Sequence, residues 1–163
     1  MNKKFSKQQA VEDLPLSKAA QLILDESRML LPGIQALFGF QLIAVFNPTF
    51  SDKLNHFEQE LHLLAIGLVV LTTIIIMTPA AYHRQMEVQE VTESFVHMAS
   101  RLMLISMMPL SLSISLDFFL VSRLILGSTF VASVIAFVSL ALFILIWIVA
   151  PRTGILNRLL GER

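Results

Sequence analysis

Four long blocks of apolar residues, separated by short charged segments, are the feature that most limits what this chain can fold into. The chain is 55% hydrophobic and 15% charged, with a mean hydropathy of +0.73, whereas about one quarter of the residues in a soluble domain are charged. A helix needs about 20 apolar residues to cross the roughly 30 Å hydrocarbon layer of a bilayer. The blocks predict spans over residues 30–50, 61–82, 97–121 and 128–150. We therefore expect an all-α integral membrane protein, folded as a four-helix bundle.

The distribution of Lys and Arg predicts how such a bundle is oriented. Ten of these residues flank one side of the predicted spans: Lys3, Lys4, Lys7, Lys18, Arg28, Arg84, Arg101, Arg152, Arg158 and Arg163. Only Lys53 and Arg123 flank the other side. Because segments rich in Lys and Arg remain in the cytoplasm, we expect a multi-pass protein with both termini and the central loop in the cytoplasm.

The residues ahead of the first span, "LSKAAQLILDESRMLLPG", have the apolar spacing of an amphipathic helix. Ser17 is a suitable N-cap, and Pro32 would turn the chain into the membrane. Two interpretations remain open: a helix lying in the cytoplasmic interface, or a simple extension of the first span. The predicted organisation is an N-terminal cytoplasmic segment (residues 1–28), a transmembrane domain (residues 29–151) and a cytoplasmic tail (residues 152–163).

Composition and motifs also limit the function. The formal net charge is zero, so we expect no nucleic-acid partner, because phosphate binding needs a concentrated basic surface. The chain has no cysteine, which excludes disulfides and thiolate ligands. It contains no glycine-rich phosphate loop, nucleophile elbow or His-Glu-x-x-His motif. We therefore predict no enzymatic activity, no catalytic residues, no cofactor and no metal site.

A polar cluster is expected at the cytoplasmic ends of the helices. The string "TPAAYHR" ends the second span with Tyr82, His83 and Arg84, and Arg28 and Arg101 should reach the same depth. One interpretation is an anchor, in which an aromatic belt residue and long basic side chains sit at the membrane surface. The other is a site that handles protons or anions, since histidine titrates near neutral pH. Composition alone favours the anchor.

Three prolines fall within the predicted helical segments. Pro32, Pro79 and Pro109 each lack the N–H that would bond to the carbonyl four residues earlier. We expect helix kinks at these positions, because a freed carbonyl weakens the helix locally.

Few polar groups lie inside the predicted spans. Gln35 and Gln41 are expected at mid-depth in the first span, where they would join helices by hydrogen bonds or line a polar conduit. Asp117 is the single acid inside a span, roughly 24 Å along the third helix from Arg101. That distance places Asp117 near the outer surface rather than at the midplane, where a carboxylate-driven antiporter needs its acid. Asp117 would attract cations at an outer vestibule, or would bond to serine or His62.

One string of the outer loop, "HFEQELH", contains two His/Glu pairs at helical spacing. His56 precedes Glu60 by four residues, and Glu58 precedes His62 by four. Each pair could chelate a divalent ion, but a third ligand is missing. We favour a solvated first turn of the second span.

Three strings carry a family resemblance: "LLPGIQALFGFQL" (residues 30–42), "TPAAYHR" (residues 78–84) and the "ASRL" that opens the third span. They resemble an uncharacterised family of small bacterial membrane proteins, catalogued as a domain of unknown function. Some of its members are labelled sodium:proton antiporters. The resemblance implies a bacterial inner-membrane location. Positions that match the family pattern are Arg28, Pro32, Gln35, Phe38, Pro79, Tyr82, His83, Arg84 and Arg101.

Two functions from different classes remain open at this stage. The first is a small transporter or channel, built as a homo-oligomer in the lipid bilayer, that moves protons or small cations. The second is a non-transporting scaffold or accessory subunit. We favour transport, because ionisable and polar residues in membrane segments most often serve it.

Overall fold

A computed structural model describes residues 15–86 and 91–153. All regular structure in these two ranges is helical. The elements are α1 (Leu16–Val45), α2 (Thr49–Lys53), α3 (His56–Gln85), α4 (Glu93–Leu126), α5 (Thr129–Ile144) and α6 (Ala150–Thr153), with a π-helical segment, Leu145–Val149, joining α5 to α6. Four helices are long and apolar enough to cross a membrane, with the run from Thr129 to Thr153 counted as one.

Local sequence signals explain where the long helices begin and end. The Asn55 side chain accepts the Glu58 N–H at 3.0 Å, and the Glu58 carboxylate accepts the Asn55 N–H at 2.9 Å, a capping box that starts α3. Thr92 caps α4 in the same position. Gly127 ends α4 in the left-handed region, with φ of 67°. The chain then reverses within two residues into α5.

The N-terminal amphipathic segment and the first span form one continuous helix. The backbone stays helical from Leu16 to Val45 without a break at Pro32, so the segment extends the span. Pro15, not Ser17, precedes the first helical residue, and no side chain caps this end. Pro15 suits the position, because the N–H that it lacks would have no acceptor within the helix. The helix ends at Val45, earlier than the predicted residue 50, since the Asn47–Pro48 pair favours a turn.

Helices α3 and α4 form the centre of the molecule. In the most apolar 18-residue stretch of α3 and of α4, 28% and 33% of the residues are buried. The corresponding values are 11% for α1 and 6% for the last span. Helix α1 packs against both α3 and α4, whereas α5 packs mainly on α4. Small residues at the α3–α4 interface, including Ala65, Ala99 and Ser113, have no exposed surface. Such residues let two helices approach closely.

The predicted division between residues 28 and 29 falls inside α1, and residues 1–14 and 154–163 lie outside the described ranges.

The bundle has two distinct ends. We call the end with Arg28, His83, Arg84, Arg101 and Arg152 the arginine-rich end, and the end with α2 and Asp117 the Asp117 end.

Candidate functional site

Three helices bring four polar side chains together near the Asp117 end. Gln41 Nε2 on α1 donates to Asp117 Oδ2 at 2.6 Å and to Ser113 Oγ at 3.1 Å, both on α4. Ser113 Oγ donates in turn to the Ala65 carbonyl of α3 at 2.9 Å. His62 Nε2 on α3 lies 3.0 Å from the Gln41 carbonyl. We call Gln41, His62, Ser113 and Asp117 the polar network; it ties all three helices together.

The hydrogen-bond partners determine which nitrogen of His62 carries a proton. A backbone carbonyl only accepts, so Nε2 must be the donor to Gln41. The other nitrogen, Nδ1, lies 3.4 Å from Asp117 Oδ1 and makes no hydrogen bond with it. In a neutral imidazole with Nε2–H, Nδ1 presents a lone pair to the carboxylate, which is repulsive. The contact becomes attractive when the pair holds one additional proton, on Nδ1 or on Oδ1.

Two oxygens of the network have unused acceptor capacity. Asp117 Oδ1 and Gln41 Oε1 are buried and accept no hydrogen bond within the described residues. The side chains of His62 and Asp117 are 8% and 21% exposed. Beside them lies a cavity of about 250 Å³ with mostly apolar walls, which include Phe50, Leu54 and Leu120. The Phe50 ring covers the imidazole, with ring centroids 5.2 Å apart.

The serine, histidine and aspartate of the network are not arranged for nucleophilic catalysis. In a triad the histidine bonds to the serine hydroxyl, whereas His62 bonds to the Gln41 carbonyl and Ser113 donates to the Ala65 carbonyl.

An ion pair joins α3 and α4 at the Asp117 end. Arg123 Nε on α4 lies 2.6 Å from Glu58 Oε1 at the start of α3, and the Glu58 side chain is only 5% exposed. Sequence reasoning missed this pair and considered Glu58 with His62 as a chelating pair. The sequence feature that could have revealed the pair is the positive charge of Arg123 near the end of α4. His56 and Glu60 do pair, at 3.1 Å, but both are exposed. No group of three His, Asp or Glu residues that could hold a metal occurs in the described ranges.

At the arginine-rich end, only part of the predicted cluster converges. Arg28, His83 and Arg84 line one crevice between α1 and α3. Tyr82 and His83 also pack against the buried Phe95 of α4, with ring centroids 6.1 and 5.7 Å away. Arg101 is exposed on α4 and does not line that crevice.

The other predicted positions are dispersed. Pro32, Pro79 and Pro109 lie inside helices that continue past them. Gln41 is buried in the polar network, whereas Gln35 is exposed on another face of α1. At 100° per residue, six positions separate the two side chains by about 120° around the helix. They therefore do not line one conduit.

An apolar layer separates the polar network from the arginine-rich end. Ile34, Val69 and Ile76 are buried together, and Leu31, Leu37, Phe38 and Leu110 pack around them. The nearby buried hydroxyl of Thr72 is bonded to its own helix, at 2.8 Å from the Leu68 carbonyl. The hydroxyls of Ser106 and Ser111, buried on α4, are likewise bonded to carbonyls of their own helix, at 2.6 and 2.8 Å.

The described residues contain four helices long and apolar enough to cross a membrane, and the polar network joins three of them. These features indicate a membrane protein. Residues 16–151 match the family of unknown function DUF6328, and the chain belongs to that family. No curated protein and no solved structure matches the chain.

Proposed function

We propose that this protein moves protons or small cations across a bacterial cytoplasmic membrane, as a homo-oligomer, with Asp117 and His62 as the binding site. The observation that carries the proposal is the carboxylate–imidazole pair between helices, in which His62 is buried and Asp117 is partly buried. An ionisable pair inside a membrane helix bundle is costly and marks a functional site. This pair needs one additional proton for its contact to be attractive.

The chemistry of the network supports exchange of a proton for a cation. When the proton leaves, Asp117 keeps its negative charge and Nδ1 of His62 faces it with a lone pair. A small cation held by Asp117 Oδ1 would restore neutrality, and Gln41 Oε1 is a second oxygen with free acceptor capacity. Oxygen ligands of this kind suit hard cations. Proton and cation would then compete for one site, the behaviour that a sodium:proton antiporter label implies.

The proposed topology has both termini in the cytoplasm, following the excess of Lys and Arg. The polar network then faces the exterior, and the arginine-rich end faces the cytoplasm. Because Ile34, Val69 and Ile76 form an apolar cluster between the two ends of a single chain, we place the pathway between copies of the chain or through a rearrangement of α1 against α3 and α4.

Ion flux in liposomes tests the proposal. The purified protein is reconstituted with a pH-sensitive dye inside, and sodium, potassium and proton gradients are imposed in turn. We expect cation-coupled proton movement that is lost in Asp117→Asn, which keeps an oxygen for Gln41 but cannot exchange a proton. The matched control is Asp52→Asn, an exposed acid at the same end, which should transport normally. Wild-type flux in a correctly folded Asp117→Asn variant would show that the site is wrongly assigned.

A non-transporting scaffold is the second candidate, and the apolar layer favours it because Ile34, Val69 and Ile76 carry no group that could pass an ion between the two ends. In that case the polar network serves only to hold three helices together. Absence of flux under every gradient, combined with a stoichiometric partner in mild detergent, would establish the scaffold.

A further inference from the structure

The crevice between α1 and α3 at the arginine-rich end combines a basic mouth with apolar walls. Its volume is about 410 Å³. The lining residues are Leu24, Arg28, Leu31, Met77, Ala80, Ala81, His83 and Arg84. We propose that this crevice binds one anionic phospholipid, with the phosphate at Arg28, His83 and Arg84 and an acyl chain along the apolar wall.

The apolar part of the crevice is long enough for an acyl chain. A second cavity of about 350 Å³ lies deeper between the same two helices, with Phe38, Val70 and Ile74 as apolar walls and Gln35 and Thr73 as polar ones. Met77 lines both cavities, so they adjoin at this residue, and we infer that they form one groove for an acyl chain. From Arg28 to Phe38 this groove covers ten residues of α1, or about 15 Å. A free phosphate would use only the mouth and leave these walls uncovered.

The charge at the mouth selects an anionic headgroup. Arg28 pairs with Asp25 at 3.2 Å, but its side chain is 75% exposed. Within the described residues, one acid therefore balances one of the two guanidinium groups. The charge of Arg84 remains, and the His83 imidazole adds a hydrogen-bonding group at the mouth. A guanidinium binds phosphate oxygens in a planar, bidentate geometry. Basic pockets between membrane helices on the cytoplasmic side bind anionic headgroups for the same reason.

Native mass spectrometry of the delipidated protein in detergent tests the proposal. Phosphatidylglycerol and phosphatidylcholine with identical acyl chains are added separately, and bound lipid is counted. We expect one retained phosphatidylglycerol per chain and preferential binding over phosphatidylcholine. The double variant Arg28→Gln/Arg84→Gln should bind phosphatidylglycerol roughly thirtyfold more weakly, from about 1 kcal/mol for each basic residue.

Three further variants test whether lipid binding is specific to the crevice. Arg101→Gln removes an exposed arginine outside the crevice and should bind normally. Arg28→Lys/Arg84→Lys keeps both charges but loses the planar guanidinium groups, so its affinity should lie between those of the wild type and the double Gln variant. Ala81→Phe keeps the charges but fills the crevice, so its affinity should fall.

Several outcomes would overturn the proposal. Equal binding of the two lipids, or equal weakening in Arg101→Gln, would reduce the effect to general surface charge. Inorganic phosphate that displaces the lipid at similar concentration would identify a free-anion site, in which the apolar wall plays no part. The readout is bound lipid rather than flux, so this proposal stands or falls independently of transport.

Discussion

At the scale of single residues, the Glu58–Arg123 pair shows how an ionised group is tolerated among apolar helices. Glu58 is almost fully buried, yet one carboxylate oxygen faces Arg123 and the other accepts the Asn55 N–H. Both oxygens are therefore compensated, which limits the cost of burial. Asp117 differs, because only its Oδ2 accepts a hydrogen bond within the described residues. The Glu58–Arg123 pair therefore stabilises the fold, whereas Asp117 keeps one carboxylate oxygen that can bind a ligand.

We predict that Arg123→Ala lowers the free energy of unfolding by about 3 kcal/mol, because it leaves the buried Glu58 carboxylate without its counter-charge. Thermal or denaturant unfolding in detergent, followed by circular dichroism, measures the change. The double variant Glu58→Gln/Arg123→Ala should recover part of this loss, since the uncompensated charge is gone. Additive losses in the double-mutant cycle would contradict a direct interaction.

At the scale of elements, the turn between α4 and α5 depends on one glycine. Gly127 has φ of 67°, and a Cβ at this position would meet no atom within 4 Å. Any cost of a side chain is therefore conformational rather than steric, because left-handed backbone is unfavourable for other residues. The tight reversal lays α5 back along α4.

We predict that Gly127→Ala lowers the free energy of unfolding by about 1 kcal/mol, measured by the same unfolding assay. Gly127→Asn should cost less, because Asn tolerates the left-handed region. Gly39→Ala is the matched control: a Cβ at Gly39 would also meet nothing within 4 Å, but the backbone there is helical, so stability should hold or rise. A loss in Gly39→Ala as large as in Gly127→Ala would rule out the backbone explanation.

At the scale of the whole molecule, the single chain leaves α1 and the last span poorly covered. In their most apolar 18-residue stretches, only 11% and 6% of the residues are buried. Large side chains such as Phe130 and Phe137 are over 70% exposed. Lipid can cover such surfaces, and so can another copy of the chain. The apolar layer within one chain makes a second copy the simplest route for the transport proposal.

We therefore predict that the reconstituted protein is a homo-oligomer. Native mass spectrometry or light scattering in mild detergent measures the mass, and a multiple of the 18.3 kDa chain is expected. Crosslinking in lipid provides a check free of detergent, with cysteines introduced into this cysteine-free chain. A monomer in both experiments would remove the intersubunit pathway and favour the scaffold.

The number and type of the long elements could be predicted from the sequence, because in hydrocarbon each backbone N–H and C=O must be bonded within its own segment. An apolar block of sufficient length is therefore helical whatever its neighbours are. Helix ends were predicted less well. The sequence left open whether residues 16–30 form a separate helix, and the cap at Asn55 and the early end at Val45 depend on local turns.

The candidate site, too, could be predicted from the sequence only in part. Sequence alone identified Asp117 as the acid within a span and His62 and serine as possible partners, since composition and depth are local properties. It placed Gln41 with Gln35 at mid-depth and missed Arg123 as the partner of Glu58. Only the tertiary structure decided that Gln41 reaches Asp117, 76 residues away in the chain. The reason is geometric: each residue turns the side chain by 100°, so a partner depends on how the packed helices are rotated and shifted against one another.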